Sequence, residues 1–271
     1  MEHLLAAWPK VAEQLKNARH ILLFVDYDGT LTPIVDRPEL ADLSEDTRQL
    51  LKTLARERRC TVGIISGRAL PDLKNKVKID GIIYAGNHGL EIEGPGLSLV
   101  NPLAEEIKPV LRVLYQVLRR ALGAVKGVLV EDKGLTLSVH YRQVATREVP
   151  QVQSIFQRMV GGVQALGKVR ISRGKKVLEV RPAVAWDKGK AIRLLMKRYG
   201  KGKQTKLLPV YLGDDLADED GFGVIAAYEN GISVFVGEAS HNTTAQYYLR
   251  SPREVTTFLG LLLEHARGAS R

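Results

Sequence analysis

Residues 21–30 read ILLFVDYDGT, an unbroken apolar run followed at once by two aspartates. A continuous apolar run of this length is typical of a strand that is buried on both faces, as in a parallel sheet covered by helices. Asp26 and Asp28 are two residues apart, so an extended chain directs both carboxylates to the same side. Such a pair could hold a hard cation, or supply a nucleophile and a general acid. A polar turn at Asp28 and Gly29 is the alternative for this pair taken alone.

The two ends of the chain continue this alternation of apolar strands and amphipathic helices. We expect further strands at 61–65, 81–85, 207–212 and 232–236, and helices within 1–20 and at 44–58, 188–199, 216–228 and 255–265. Ser44 is the expected N-cap of its helix. Strands that alternate with helices in this way predict an α/β fold, a Rossmann-like parallel sheet with helices on both faces.

The middle of the chain has a different pattern. Long helices are predicted at 103–122 and 149–166, and strands at 128–130, 135–141, 168–171 and 176–180. Apolar and polar residues alternate in 135–141, which favours an antiparallel sheet with one exposed face. The sequence therefore predicts an inserted α+β cap domain at 104–181, within a catalytic core formed by 1–103 and 182–271.

Composition and charge limit the classes of function. The net charge of the 271-residue chain is +10, and residues 104–181 carry most of it, with 15 Lys and Arg against 6 Asp and Glu. A basic region attracts anions of any kind, including nucleic acid. This one lacks the interleaved aromatic residues of a base-stacking surface. We therefore expect an anionic small molecule, and neither a nucleic acid nor a membrane, as the partner.

The single cysteine and the hydropathy pattern indicate the compartment. One cysteine, Cys60, excludes an intramolecular disulfide and a zinc site made of several cysteines, which favours a reducing environment. No apolar run approaches the ~18 residues that a membrane-spanning helix needs. The sequence predicts a cytoplasmic location.

Two more polar clusters follow predicted strands. Ser66, Gly67 and Arg68 come after 61–65, and the acidic run GDDLADED, residues 213–220, comes after 207–212. Because the carboxyl ends of parallel strands share one edge, these clusters and the first aspartates should lie close together. A serine and the amides of a small-residue turn can bind an anion, although Ser66 could also be a simple helix cap.

The acidic run has two interpretations. Its later acids could simply complement the dipole of the following helix, but this explains Asp214, at the strand tip, poorly. Asp214 together with the first pair fits a hard divalent ion, which favours Mg²⁺. A phosphoryl group would also need a positive charge nearby. Lys188, which opens the helix after the insert, is the candidate, with Lys190 as the alternative.

In this order, the motifs DxDGT, SGR, a lysine that opens a helix, and GDDxxDED resemble the haloacid-dehalogenase superfamily of phosphotransferases. Three further stretches, at 87–89, 130–142 and 176–182, resemble the trehalose-6-phosphate phosphatase family, so that the similarity covers nearly the whole chain after residue 20. Ala217 departs from the threonine expected at that position.

This resemblance implies a role for each matching residue. Asp26 would be the nucleophile, Asp28 the general acid and base, and Lys188 a catalytic cation. Ser66, Gly67 and Lys188 would bind the phosphoryl group. The magnesium site would be formed by Asp26, the backbone carbonyl of Asp28 and Asp214, with Asp218 orienting one of these ligands. The residues implied for substrate binding are Arg68, Asn87, His88, Glu131, Lys133, Arg142, Lys176 and Glu179.

The implied activity is magnesium-dependent hydrolysis of trehalose 6-phosphate through an aspartyl-phosphate, with trehalose-6-phosphate synthase as a partner in the same pathway. One alternative keeps this chemistry but changes the substrate to sucrose 6-phosphate or a glucosyl- or mannosyl-phosphoglycerate. The other alternative is a non-catalytic protein that binds phosphosugars or nucleic acid.

Overall fold

The structure, a computed structural model, describes residues 1–200, 206–240 and 242–268. In chain order the elements are β1 (Glu2–His3), α1 (Trp8–Asn17), β2 (His20–Val25), α2 (Glu45–Leu54), β3 (Cys60–Ile65), α3 (Leu70–Val77), β4 (Ile83–Gly86), β5 (Glu91–Gly94), β6 (Leu97–Val100), α4 (Pro102–Leu122), β7 (Leu129–Asp132), β8 (Leu137–His140), α5 (Val149–Ala165), β9 (Val169–Gly174), β10 (Val177–Pro182), α6 (Lys188–Tyr199), β11 (Leu207–Gly213), α7 (Glu219–Ala226), β12 (Ile232–Val236), β13 (Tyr247–Leu249) and α8 (Pro252–Gly268).

The chain divides into two compact units, one formed by Met1–Ser98 and Trp186–Arg271 and the other by Leu99–Ala185. The sequence predicts an insert at 104–181, a few residues inside the bounds of the second unit. The assignment of a catalytic function to one unit and of substrate recognition to the other stays a prediction.

A nine-stranded sheet in the order β1-β13-β12-β11-β2-β3-β4-β5-β6 forms the centre of the first unit. Across the sheet in this order, every neighbouring pair of strands from β1 to β4 is parallel. The next pair, β4 and β5, is antiparallel. One apolar cluster packs helices such as α2 and α8 on one face, and a second cluster packs α6 and α7 on the other. The predicted α/β fold with helices on both faces is confirmed.

The register of the central strands places the polar clusters at one edge of this sheet. Val25, the last residue of β2, lies opposite Ile64 of β3 and Leu212 of β11. The backbone N–H of Asp26 then donates to the carbonyl of Leu212 at 2.9 Å. Strand β2 lies between β3, which follows it in the chain, and β11, which comes much later, so this edge is the switch point where α/β sheets bind ligands.

The second unit contains a four-stranded sheet in the order β7-β8-β10-β9. All three pairings are antiparallel, as the sequence predicts. Residues of α4 and α5 such as Leu118 and Phe156 pack against one face of the sheet, where they form one apolar cluster with Val139 and Val180. Glu131, Ser138 and Glu179 alternate with these apolar residues and therefore lie on the opposite face.

Several predicted element boundaries are wrong. The helix expected at 216–228 begins with a 3-10 turn, Leu216–Asp218, before α7 starts. The side chain of Asp218 accepts hydrogen bonds from the backbone of the preceding loop, and this box-like arrangement with Asp215 tightens the first turn. The N-terminal helix starts only at Trp8, and β1 precedes it. The N-cap prediction at Ser44 is confirmed, since its hydroxyl accepts from the N–H of Thr47 at 3.3 Å.

Four short strands were not expected from the sequence: β1, β5, β6 and β13. The strands are two to four residues long, so each is too short to show a hydrophobic period of its own. Within the described ranges, none of the helices is both long and apolar enough to cross a membrane.

Candidate active site

Three buried aspartates meet at the carboxyl edge of the nine-stranded sheet. Asp26 follows β2, whereas Asp214 and Asp218 follow β11. One carboxylate oxygen from each of the three lies within 4.8 Å of the other two. The structure therefore brings together two stretches of chain that are almost 190 residues apart, as the motif order and the strand ends predict.

Two glycines make room for these carboxylates. Gly29 has a φ of +85°, and a Cβ at this position would overlap the carboxylate of Asp214. A Cβ on Gly213 would overlap the side chain of Asp218 in the same way. A turn at Asp28 and Gly29 is therefore present, as the alternative interpretation of this pair expected. Its glycine also permits the close approach of Asp214, which follows another strand.

Lys188 joins the nucleophile candidate to the acidic loop. Its Nζ donates to Oδ1 of Asp26 at 2.7 Å and to Oδ1 of Asp218 at 2.6 Å. Lys188 is the first residue of α6, and the side chain of Asp187 caps that helix by accepting from the N–H of Lys190 at 2.7 Å. The ammonium of Lys190, the alternative cation, instead lies 3.5 Å from Asp187 on an exposed part of the helix.

Burial and charge shift the pKa values of this group in opposite directions. Burial raises the pKa of Asp26 well above its ordinary value, although Lys188 opposes this shift. Burial also acts to raise the pKa of Asp218, but Lys188, Tyr211 and the backbone N–H of Asp215 hold it below its ordinary value. For Lys188, burial acts to lower the pKa, yet Asp218 and Asp26 raise it well above its ordinary value. Lys188 is therefore the charged partner of both acids.

Arg68 holds the second aspartate of the first motif. Its Nε and Nη2 donate to the two carboxylate oxygens of Asp28 at 2.7 and 2.8 Å. The guanidinium also donates to Asp72 at 2.6 Å and to the carbonyl of Pro38 at 2.7 Å, and it lies 5.1 Å from the ring centre of Tyr27. Arg68, expected to bind substrate, thus contacts the predicted general acid directly.

Ser66 and Gly67 lie directly after β3, beside the end of β2. Ser66 is almost fully buried, and its Oγ accepts from the N–H of Arg68 at 3.2 Å. A Cβ on Gly67 would approach the ring of His88 to 2.8 Å, so a glycine is needed where this ring packs. The segment therefore combines a hydroxyl with a glycine, the small residues that an anion site built from backbone N–H groups requires.

Asn87 and His88 lie on a turn bonded to this same segment. The N–H of Asn87 donates to the carbonyl of Arg68 at 2.7 Å, and that of His88 donates to the carbonyl of Ser66 at 2.9 Å. Asn87, His88 and Gly89 all have positive φ angles, of 48°, 59° and 85°. Left-handed backbone at residues other than glycine is costly and persists mainly where a site requires it.

In the second unit, the predicted sugar-binding charges form one cluster. Nζ of Lys133 lies 3.4 Å from Glu179 and 4.0 Å from Glu131. His140 contacts Glu131 at 2.9 Å, and the hydroxyl of Ser172 donates to Glu179 at 3.2 Å. These residues share the sheet face opposite the helices. On that face, the carboxylates of Glu131 and Glu179 lie next to the side chains of Lys133, His140 and Ser172.

Arg142 and Lys176 lie at the end of the same sheet. Arg142 donates to the carbonyl of Lys175 at 2.6 Å, in the turn between β9 and β10. Lys176 has a φ of 67°, and its carbonyl accepts from the N–H of Tyr141 at 3.1 Å. The two residues are therefore tied to one turn.

Comparison with known proteins identifies the family. The profile of the trehalose-phosphatase family matches residues 24–253. The chain belongs to the trehalose-phosphatase family. It is 34% identical over 95% of its length to a protein of Oryza sativa called probable trehalose-phosphate phosphatase 3, of which the match covers 73%. It is likewise 34% identical to trehalose-phosphate phosphatase B of Arabidopsis thaliana, over 92% of this chain and 68% of that protein.

Solved structures agree with this result. The C-terminal domain of the Candida albicans trehalose-6-phosphate phosphatase superposes with a TM-score of 0.82 at 27% identity, over 94% of this chain and 96% of that one. A haloacid dehalogenase-like hydrolase of Bacteroides thetaiotaomicron, at 18% identity and a TM-score of 0.60 over 90% of this chain and 99% of that one, shares the fold. The predictions of a haloacid-dehalogenase fold and of a phosphatase are confirmed.

The acidic cluster of this trehalose phosphatase fits a divalent metal ion. Its donors are carboxylate oxygens, the ligands that hard cations prefer. Asp26 and Asp218 contact the ammonium of Lys188, and Asp214 adds a third buried carboxylate to the same cluster, where a divalent cation would offset negative charge. The raised pKa of Asp26 has burial as its main cause and the charges of Asp218 and Asp214 as further causes.

Sequence reasoning missed four residues that the trehalose phosphatase structure places in these clusters. They are Asp72, His140, Ser172 and Tyr211. Tyr211 carried a usable signal, since a phenol in an otherwise apolar buried strand needs a hydrogen-bond partner. His140 and Ser172 contact residues on neighbouring strands, so only the pairing of the folded chain reveals them. Asp72 lies four residues after Arg68, so the spacing of these two charges was a local signal.

Proposed function

We propose that this protein hydrolyses trehalose 6-phosphate to trehalose and phosphate, with magnesium as its cofactor and an aspartyl-phosphate on Asp26 as the intermediate. The observation that carries the proposal is the position of Lys188 between Asp26 and Asp218, beside the acid cluster that includes Asp214. An anionic nucleophile, a cation and a metal-binding carboxylate in one buried place are the groups that phosphoryl transfer requires.

In the first step, a carboxylate oxygen of Asp26 bonds to phosphorus while the bond from phosphorus to the sugar oxygen breaks. Asp28 gives its proton to that oxygen. In the second step a water oxygen attacks phosphorus, its proton goes to Asp28, and the bond from phosphorus to Asp26 breaks. Splitting the displacement in this way replaces one difficult step by two easier ones.

The positions of the two aspartates suit these different tasks. The ammonium of Lys188 lies 2.7 Å from Asp26, and its charge acts against the effect of burial on the pKa of Asp26 and so favours the ionised carboxylate that attacks. The side chain of Asp28 is 43% exposed, and both of its oxygens accept from Arg68. Because both oxygens accept from Arg68, Asp28 must release at least one of these bonds before that oxygen can carry the proton of the acid.

The remaining residues bind and orient. Ser66, the N–H of Gly67 and Lys188 would hold the phosphoryl oxygens as their charge redistributes. Asp26, Asp214 and the main-chain carbonyl of Asp28 would hold the magnesium ion, which would offset the negative charge of the carboxylates and of the phosphoryl group. Asp218 already accepts hydrogen bonds on both oxygens, so we assign it to orienting this set.

Recognition of the disaccharide is assigned to the polar residues named from the sequence. Glu131, Lys133 and Glu179 combine donors and acceptors, which suits sugar hydroxyls because each hydroxyl both donates and accepts. We assign the same task to Arg142, Lys176, Asn87 and His88. The enzyme that makes trehalose 6-phosphate would be its partner in the pathway.

The test compares phosphate release from trehalose 6-phosphate, sucrose 6-phosphate and glucose 6-phosphate at equal concentration, with D26N as the inactive control. We expect the highest kcat/KM for trehalose 6-phosphate and none above background for D26N. Equal values for trehalose 6-phosphate and glucose 6-phosphate would contradict the substrate assignment. An active D26N variant would contradict the mechanism.

A further inference from the structure

Tyr211 is a fully buried residue near the end of β11, two positions before Gly213. Its hydroxyl donates to Oδ1 of Asp218. The ring lies 5.5 Å from that of Phe222, and a Cβ on Gly221 would overlap it. Since α7 holds the ring in place in this way, the position of the hydroxyl is fixed.

Protein donors occupy the hydrogen-bond acceptor positions of the Asp218 carboxylate. Its Oδ1 accepts from Lys188 at 2.6 Å and from Tyr211, and its Oδ2 accepts from the N–H groups of Asp214 and Asp215 at 2.9 and 3.1 Å. A carboxylate offers about four acceptor positions, so each one is used. Asp218 thus connects the loop that carries Asp214 to the cation that contacts Asp26.

Tyr211 and Lys188 therefore share one oxygen atom. With the phenol in place, Oδ1 of Asp218 divides its negative charge between two donors. Without the phenol, that oxygen would attract the ammonium of Lys188 more strongly, since the low dielectric of the interior strengthens each remaining interaction. The ammonium would then be less available to Asp26 and to a phosphoryl oxygen.

We propose that Tyr211 is a positioning residue for phosphoryl transfer. Its hydroxyl donates to Oδ1 of Asp218 and so weakens the pull of that oxygen on Lys188, which keeps the ammonium bonded to Asp26 as well. The proposal rests on the proposed function of this site. The phenol touches neither substrate nor phosphorus and acts through the carboxylate of Asp218. Burial and the charge of Asp218 raise the pKa of Tyr211 well above its ordinary value, which keeps the phenol a neutral donor.

The test is Y211F, with Y84F as its matched control. Tyr84 is also a buried tyrosine of the same sheet, and its hydroxyl donates to the carbonyl of Ile79 at 2.7 Å, away from the acid cluster. Both variants lose one buried hydroxyl and keep the ring. For Y211F we expect kcat on trehalose 6-phosphate to fall roughly tenfold, which corresponds to about 1.4 kcal/mol of transition-state stabilisation, while KM changes less than about twofold. For Y84F we expect kcat to stay within about twofold of the wild type.

Binding of orthovanadate and of inorganic phosphate, measured by calorimetry, gives a readout that needs no turnover. Vanadate resembles the five-coordinate transition state, so Y211F should weaken its binding by the same roughly tenfold factor, and should change phosphate binding much less. Y211F with wild-type kcat and wild-type vanadate affinity would overturn the proposal. So would an equal fall in kcat for both variants.

The same measurements separate this proposal from the proposed function. A wild-type protein that hydrolyses none of the sugar phosphates would refute the proposed function. In that case the difference in vanadate affinity between Y211F and Y84F would still decide the role of Tyr211.

Discussion

Arg68 donates to both carboxylate oxygens of Asp28, at 2.7 and 2.8 Å, and so holds the predicted general acid with two paired hydrogen bonds. The arginine is itself fixed by Asp72 and by the carbonyl of Pro38. Paired N–H groups of this kind define the orientation of a carboxylate as well as its position. The acid of the proposed mechanism is therefore pre-oriented, and its release from Arg68 becomes part of the reaction.

This relationship predicts an effect that depends on the leaving group. In R68A, Asp28 loses the two N–H groups that fix its orientation, and this loss should outweigh the easier release of its carboxylate, so protonation of the sugar oxygen should suffer. General acid catalysis contributes typically 10²–10⁴-fold, and we expect kcat on trehalose 6-phosphate to fall at least about tenfold. Hydrolysis of p-nitrophenyl phosphate, whose leaving group needs no proton, should fall much less. The control is D72N, which changes a different partner of Arg68 and leaves the two bonds to Asp28 in place, so it should change both rates little. Equal losses on the two substrates would show that Arg68 does not act through Asp28.

Removal of Lys188 should destabilise the protein as well as inactivate it. K188A leaves the buried carboxylates of Asp26 and Asp218 without their shared cation. Breaking a buried ion pair in this way typically costs about 3–5 kcal/mol of unfolding free energy. The neighbouring K190A removes a cation that is 45% exposed, so its effect should stay within about 0.5 kcal/mol. Urea unfolding of the two variants measures the difference, and equal midpoints would argue against the buried pairing.

A divalent cation should both activate and stabilise the enzyme. EDTA is expected to abolish hydrolysis and added Mg²⁺ to restore it. Magnesium at about 100 times its dissociation constant should also stabilise the folded state by about 2.7 kcal/mol, which thermal unfolding detects. D214N should lose this stabilisation, whereas D220N, which changes an exposed acid in the first turn of α7, should keep it. Hydrolysis that continues at the same rate in EDTA would remove the metal from the mechanism.

The charge cluster of the second unit should matter for the sugar and not for the chemistry. E179A removes the partner of Lys133 and Ser172. Loss of a hydrogen bond to a charged group costs about 1.5–3 kcal/mol, so kcat/KM for trehalose 6-phosphate should fall by roughly tenfold or more. The rate on p-nitrophenyl phosphate should stay near that of the wild type. E106A, which changes an exposed acid of α4, should affect neither substrate. A matching loss on both substrates for E179A would mean that the glutamate is structural.

The sequence was most informative where strong patterns coincide. Asp26 and Asp28 directly follow a buried strand, and Asp214 directly follows another, so the parallel-sheet rule alone placed them at one edge. The direct contact of Lys188 with Asp26 was a weaker inference, because a lysine at a helix start is usually solvated. That inference depended on the presence of the other motifs, DxDGT, SGR and GDDxxDED, in the same chain.

The parts that could not be predicted are set by tertiary contacts. Strand β1 exists because β13 pairs with it, and a two-residue strand has no pattern that a sequence window can show. The contact of Arg68 with Asp28 joins residues that are 40 positions apart, and nothing in the local sequence distinguishes it from a contact with substrate. The helix after Asp214 starts late because Asp218 turns its carboxylate back to the N–H groups of the preceding loop.

The most direct test of the central claim is to trap the phosphorylated enzyme. The protein would be mixed with trehalose 6-phosphate and Mg²⁺, quenched within one turnover, treated with borohydride to reduce any aspartyl-phosphate to homoserine, and digested for mass spectrometry. We expect homoserine at position 26 in the wild type and unmodified aspartate at positions 28, 214 and 218. Active enzyme that shows an intact Asp26, or a modification at another aspartate, would contradict it.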